Sequence, residues 1–158
     1  MKKIIYTVGD ATKPEGIGSK IIAHICNDIG AWGKGFVLAI SKLSPAPERA
    51  FREWYANREH NDFALGAVQF VSVSSDILVA NMIGQHGIRA SRGVPPIRYD
   101  AIETALKTVG EKAQAENASV HLPRIGCGLA GGKWSEIEPL IERQISASGV
   151  PVFVYDLP

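Results

Sequence analysis

Four glycines fall within seven residues, Gly126, Gly128, Gly131 and Gly132. They come directly after an apolar stretch that ends at Pro123 and directly before a stretch of helical period. Val120 and Leu122 alternate ahead of the loop, and Trp134-Ser135 closes it. A strand that runs into a glycine loop and then into a helix N-terminus is a phosphate cradle. Glycine reaches positive φ and lets the backbone approach a ligand. The freed N–H groups converge as an anion-binding nest, and the helix dipole adds a favourable field.

The rest of the chain supplies the frame for that loop. Lys3 to Val8 reads as a buried strand ended by Gly9-Asp10, and Ile21 to Cys26 as a second strand. Asn27 to Gly35 is a second glycine loop, with Gly30, Gly33, Gly35 and the large ring of Trp32, which either anchors the loop or covers a ligand. Phe36 to Leu43 has helical period and stops at Pro45; Pro47 suits the first turn of a helix running to Glu59 in which Phe51, Trp54 and Tyr55 share a face. Leu65 to Val73 and Ile77 to Ile83 read as strands joined by a hairpin through Ser74-Ser75-Asp76. The second of these is continuously apolar, as in a strand covered on both faces. Gly84 to Pro96 has no period and carries Arg89 and Arg92, which are candidates to clamp a phosphate. Arg98 to Glu116 is helical, and so is Glu136 to Ala147, where Ser135 and Glu138 stand at capping-box spacing just before Pro139. Val150 to Leu157 is the last strand.

Strands alternating with helices predict an α/β fold, helices on both faces of a mixed sheet, in one domain over residues 1–158. Ligands in such sheets sit beyond the carboxyl ends of the strands, where both glycine loops and Asp10 lie. With 46% hydrophobic residues and a net charge of +1, the chain carries no electrostatic footprint for nucleic acid or an anionic membrane. No apolar run nears the roughly 20 residues that span a bilayer. Met1-Lys2-Lys3 resembles a signal start, but the apolar part ends at Gly9-Asp10, too early for a signal core. Cys26 and Cys127 make neither a disulfide framework nor a metal-ligand spacing, so a reduced cytoplasmic setting is expected, without metal or cofactor.

Gly126 to Gly131 satisfies G-x-G-x-x-G by the letter. A dinucleotide fold, however, places that motif early, with most of its sheet still to come, and here one helix and one strand remain. Asp156, the candidate ribose acid, lies 30 residues beyond Gly126 rather than about 20. A Walker loop fails too, because Gly132-Lys133 is followed by Trp134. The alternative to a ligand loop is a structural turn with surplus glycine. Four glycines without a packing return favour the ligand. Asp10 after Gly9 is commonly a turn carboxylate, His24 a satisfied interior histidine, and Cys127 a small residue in a tight loop rather than a nucleophile.

Taken together, TVGDAT, AHICNDIGAWGKGFVLAISKLSP, LPRIGCGLAGGKW and VFVYDL resemble the macrodomain, the ADP-ribose-binding module, over nearly the whole chain. The HICN…GAWGKG and PRIGCGL forms resemble the branch that contains the terminal ADP-ribose protein glycohydrolase and the yeast-type ADP-ribose 1″-phosphate phosphatase. The resemblance implies a three-layer α/β/α sandwich with a central mixed six-stranded sheet. It implies that Asp10, with Ala11 beside it, meets the adenine amino group and that Asn27 meets the distal ribose. Gly33, Lys34, Gly35 and Phe36 would wrap the diphosphate and distal ribose together with Arg124, Ile125, Gly126, Cys127, Gly128, Leu129 and Ala130. Tyr155 and Leu157 would pack near the adenosine.

Catalysis departs from that branch. Gln85 aligns with its catalytic lysine and Ala130 with its catalytic aspartate. An amide has no nucleophilic lone pair, so a covalent route through a Schiff base is not expected. A water-mediated route remains, in which the ligand's phosphate, Asn27, Asp28, His24, Gln85 or His86 places or activates water. The expected activity is hydrolysis of an ester-linked ADP-ribosyl group on protein, or deacylation of O-acetyl-ADP-ribose. The alternatives are ADP-ribose 1″-phosphate phosphatase, which the match at His24 keeps open, and a reader without turnover. A different nucleotide or RNA phosphate ligand fits the near-neutral charge less well. The expected partner is ADP-ribose or ADP-ribosylated protein, with no nucleic acid or membrane, and the chain is expected to be a monomer.

Overall fold

The computed structural model describes residues 2–158; Met1, at the head of the signal-like start, lies outside them. Six strands run in the order β1 (Ile5–Val8), β6 (Val152–Asp156), β5 (Ser119–Leu122), β2 (Lys20–Asn27), β4 (Ile77–Gln85), β3 (Val68–Ser72). All neighbours are parallel except β3, which is antiparallel to β4 through the predicted hairpin, with Val73 N–H donating to the Ile77 carbonyl at 3.0 Å. Five strand ends therefore open on one side of the molecule, the side that carries both glycine loops.

Period-2 alternation divides the sheet between two cores. Ile21, Ala23, Met82, Val120, Leu122 and Val154 pack against α3 (Tyr99–Glu116) and α4 (Trp134–Gln144) through Leu106, Val109, Ile137 and Ile141. Ile22, Cys26, Val79 and Ile83 face the other way, onto Ile40 of α1 (Phe36–Leu43) and Phe51 and Trp54 of α2 (Ala46–Ala56). Helices thus cover both faces, giving the expected three layers. Among the described residues no helix is long and apolar enough to cross a membrane.

Four expectations need correction. The first strand is not buried: β1 is an edge strand paired only with β6, and Tyr6 and Val8 are 42% and 68% exposed. The second helix stops at Ala56, and Arg58–His60 continue as a separate 3-10 turn. The long loop after β4 begins later than Gly84, because Gly84 and Gln85 extend the strand. Finally, Ser135 and Glu138 form no capping box. The helix begins one residue earlier, at Trp134, with Lys133 in the cap position and no side-chain cap bond, and the Glu138 carboxylate accepts from the Tyr6 hydroxyl instead.

The register between β2 and β4 slips at their carboxyl ends: Cys26 pairs with Ile83, and Asn27 with Gln85, leaving Gly84 as the extra residue of a bulge. A Cβ at Gly84 would stand 2.8 Å from Ile102 Cγ1 and 2.9 Å from Ile25 Cδ1, so only glycine fits there. The bulge aims Gln85 into the space above the sheet where the loops meet.

Candidate functional site: a cleft between two amide-bearing loops

A cleft of about 280 Å³ lies over the ends of β2, β4 and β5. Lys34, Gly35, Phe36 and Val37 form one wall. Pro123 to Gly126 and Gly128 to Ala130 form the other, and His24, Ile25 and Gln85 lie at its floor. The first loop reaches the cleft at the N-terminus of α1. Gly35 is the cap residue there, at φ 81° and ψ −145°, a conformation essentially restricted to glycine. The amides of Gly33 to Val37 take no acceptor among the described residues, as the first turn of a helix requires.

The second loop reads differently from the sequence expectation. Most of its glycines do have a packing return. A Cβ at Gly126 would meet Ile97 Cδ1 at 2.7 Å, one at Gly131 would meet Pro95 Cβ at 2.9 Å, and one at Gly132 would meet Ile97 Cδ1 at 2.2 Å. Only Gly128 faces open space, within the cleft. Gly132 N–H donates to the Gly126 carbonyl at 2.7 Å and Lys133 N–H to the Tyr99 hydroxyl at 3.1 Å, so the N-terminus of α4 is turned away from the cleft. The helix N-terminus at the cleft is therefore that of α1, and not the one expected after this loop. Cys127 is also withdrawn. Its N–H donates to the Arg124 carbonyl at 3.3 Å, and burial pushes its thiol up from the ordinary value, consistent with a small loop residue and not a nucleophile. The amides of Ile125, Gly126, Gly128, Leu129 and Ala130 have no acceptor among the described residues.

Arg124 lines the cleft, but its guanidinium is occupied. It forks onto Asp156 at 2.7 and 3.0 Å and stands 5.2 and 5.1 Å from the ring centres of Tyr6 and Trp134. Each partner holds the other charged: the Asp156 carboxyl is lowered by the hydrogen bond from Arg124, and the guanidinium is raised in turn. Asp156 is therefore the clamp of this loop and not a ribose acid.

Several predicted residues work one step away from the cleft. Asn27 does not line it. Its Oδ1 accepts from Ile29 and Ala31 N–H at 3.1 and 3.0 Å, and its Nδ2 donates to the Ala31 carbonyl at 2.7 Å. That bonding consumes most of the amide, so Asn27 shapes the loop. Trp32 anchors: it is buried and donates to Ser41 Oγ at 2.8 Å. Tyr155 is buried beneath the 10–18 segment, accepting from Glu15 N–H and bonded to His121 Nδ1, both at 2.8 Å. It supports that segment. Asp10 accepts from Thr12 N–H and Oγ1–H at 2.8 and 2.7 Å, the turn role, and these bonds lower its pKa. Ala11 is buried, Leu157 is exposed beside β1, and none of Asp10, Ala11, Gly33, Tyr155 or Leu157 lines the cleft. Arg89 and Arg92 are exposed and make no ion pair among the described residues.

His24 lies at the cleft floor but is unsuited to take a proton. It is 1% exposed, burial drives its pKa to about 4, and its Nε2–H donates to Asn81 Oδ1 at 2.6 Å. Asn81 Nδ2 donates to Pro47 O and Gln69 Oε1, which fixes the amide orientation and hence the tautomer. Gln85 lines the cleft and donates to the Gly87 carbonyl at 2.9 Å. Sequence reasoning missed Ile97, on which two glycines of the second loop rest, and the pairing of His86 with Asp28 at 2.7 Å. The residues of each pair are far apart in sequence, so no local signal marks them.

The fold and cleft define an α/β protein with a crevice lined by unpaired amides at its strand ends. No family model matches the chain. A macrodomain protein from Streptomyces coelicolor is 56% identical, superposes with a TM-score of 0.88, and is matched over 98% of this chain and 99% of that one. The chain belongs to the macrodomain family. A Bacteroides thetaiotaomicron protein of unknown function is 58% identical with a TM-score of 0.95 over 98% of both chains. The mouse chromodomain-helicase-DNA-binding protein 1-like is 31% identical over 98% of this chain, which spans 18% of that relative's length. An ADP-ribose 1″-phosphate phosphatase of Candida albicans is 23% identical, matched over 88% of this chain and 92% of its own. DarTG from Thermosipho africanus, solved in complex with ADP-ribose, shares the fold with a TM-score of 0.76 at 20% identity, matched over 100% of this chain and 42% of its own.

Proposed function

We propose that this macrodomain binds ADP-ribose in the cleft and hydrolyses the ester that links its distal ribose to a carboxylate on protein. The observation that carries the reading is the convergence of unpaired amides from the α1 terminus and the 125–130 loop across one cleft, with Gly128 the one glycine of the second loop that faces open space. A linked pair of phosphoryl groups fits that donor array. The ends of the cleft differ in chemistry and set the ligand's direction. Beyond the cleft, exposed apolar Val8 and Leu157 flank Asp10 on the β1–β6 side and suit the base, and polar Gln85, which lines the cleft at the β4 end, suits the distal ribose. The phosphatase named among the relatives and the ADP-ribose held by the DarTG structure agree with this ligand class.

Calorimetric titration with ADP-ribose tests the binding step. A 1:1 complex is expected, and Gly128→Glu removes it, because a carboxylate would stand among the phosphates. Unaltered binding by Gly128→Glu would place the pocket elsewhere. A reader without turnover is the second reading, favoured by Gln85 and Ala130 at the positions where the related glycohydrolase has its lysine and aspartate. Assays on ester-linked ADP-ribosyl protein, O-acetyl-ADP-ribose and ADP-ribose 1″-phosphate separate the two: tight binding with no turnover on any of the three establishes the reader.

A further inference from the structure

We infer that Asp28 and His86 form the general-base pair that activates water at the distal ribose. The inference rests on the hydrolase reading above. Asn27 and Gln85 are the last paired residues of β2 and β4, and Asp28 and His86 are the residues that follow them. They follow directly on Gln85, which lines the cleft at the end of β4, and Asp28 N–H donates to the Gln85 carbonyl at 3.1 Å.

The geometry of the pair is that of an oriented base. Asp28 Oδ2 lies 2.7 Å from His86 Nδ1, and Asp28 Oδ1 accepts from Gly87 N–H at 2.7 Å, so the carboxylate is held by both oxygens. His86 N–H donates to the Pro96 carbonyl at 2.8 Å, which fixes the backbone that carries the ring. A carboxylate only accepts, so Nδ1 carries the proton and Nε2 presents its lone pair. The His86 side chain is 63% exposed while Asp28 is 17% exposed: a reachable ring on a sheltered anchor.

The other candidates at the site lack one of these properties. His24, at the cleft floor, is buried against Phe36 and Trp32, and that burial drives its pKa to about 4. Asn27 is consumed by its loop, and Gln85 has no basic lone pair. His86 Nε2 takes a proton from water as the oxygen bonds to C1″. The C1″–O bond to the protein carboxylate breaks, and its electron pair leaves with the carboxylate. Products are ADP-ribose and the free carboxylate, and the proton passes from the imidazolium to solvent. No co-reactant is needed. Asp28 is the positioning residue, holding the tautomer and stabilising the imidazolium.

The test is kinetics of the full chain on ester-linked ADP-ribosyl protein, with ADP-ribose affinity measured in parallel. His86→Ala is expected to lower kcat by about 10²–10⁴-fold, the usual worth of a general base, with affinity within twofold and partial rescue by added imidazole. Asp28→Asn is expected to lower kcat comparably, because its amide donates to Nδ1 and moves the ring proton to Nε2. The ring nitrogen shifts of ¹⁵N-labelled His86 read that tautomer directly, without turnover. His60→Ala, at an exposed 3-10 turn, is the control and leaves both readouts unchanged. Turnover by His86→Ala within threefold of the parent, or loss without imidazole rescue, overturns the base assignment while leaving hydrolysis intact. Absence of turnover in the parent chain, with ADP-ribose still bound, overturns both.

Discussion

The two glycine loops look alike in sequence and do different work. The 27–35 loop delivers the N-terminus of a helix to the cleft, and its cap glycine is fixed by backbone conformation at φ 81°. The 123–132 loop turns its helix away, and three of its four glycines exist so that the chain can lie against Ile97 and Pro95. Glycine density is therefore a poor measure of ligand contact. What distinguishes a ligand-facing glycine is the absence of anything where its Cβ would stand, and in the second loop only Gly128 qualifies.

That contrast is sharpest in a pair of substitutions within one loop. Gly128→Glu is expected to cost at least about 100-fold in ADP-ribose affinity, since juxtaposed like charges cost several kcal/mol, while its melting temperature stays near the parent's. Gly132→Ala should do the reverse. Its methyl would fall 2.2 Å from Ile97 Cδ1 and 2.6 Å from the Gly126 carbonyl. Overpacking of this kind costs about 1–3 kcal/mol, read as a lower urea midpoint, with affinity of the folded fraction within a few-fold. A stable Gly132→Ala would break the account of the second loop.

In the first loop the two effects should coincide. Gly35→Ala forces a side chain into a conformation that costs about 1–3 kcal/mol and also displaces the amides at the start of α1. Both the denaturation midpoint and the affinity should therefore fall. Acid should act on the floor of this loop as well. His24 is neutral when folded, with its pKa at about 4 against 6.5 unfolded, and His121 is lowered to about 4 as well. Between those values the unfolded chain binds more protons, so stability falls as pH drops from 6.5 toward 4. The limit is about 1.4 kcal/mol per pH unit for each histidine. Urea midpoints at pH 7, 6 and 5 check the sign, and a flat series would contradict it. The smallest effect is expected at Arg124. Its pair with Asp156 is 39% and 44% exposed, so Arg124→Ala should cost at most about 1 kcal/mol.

Much of this arrangement was legible from the chain alone, for identifiable reasons. The first helix was bounded correctly because period and Pro45 agree, and the apolar run of β4 marked a strand covered on both faces. The two cleft walls were legible as strand–glycine–helix transitions. The role of Asn27 was not, because whether an amide turns inward to its own loop depends on the path of residues 28–31. The exposure of β1 depends on which strand takes the sheet edge, a question of topology that local pattern does not answer. Asp28 and His86 are separated by 58 residues and meet only because β2 and β4 end together.

The central claim is that amides of two loops close on one pair of phosphoryl groups, and a ¹H–¹⁵N titration with ADP-ribose tests it most directly. The account predicts that the largest shifts fall on Lys34 to Val37 and on Gly126 and Gly128 to Ala130, with Gly132 little moved. Shifts confined to one loop, or centred away from the cleft, would contradict it.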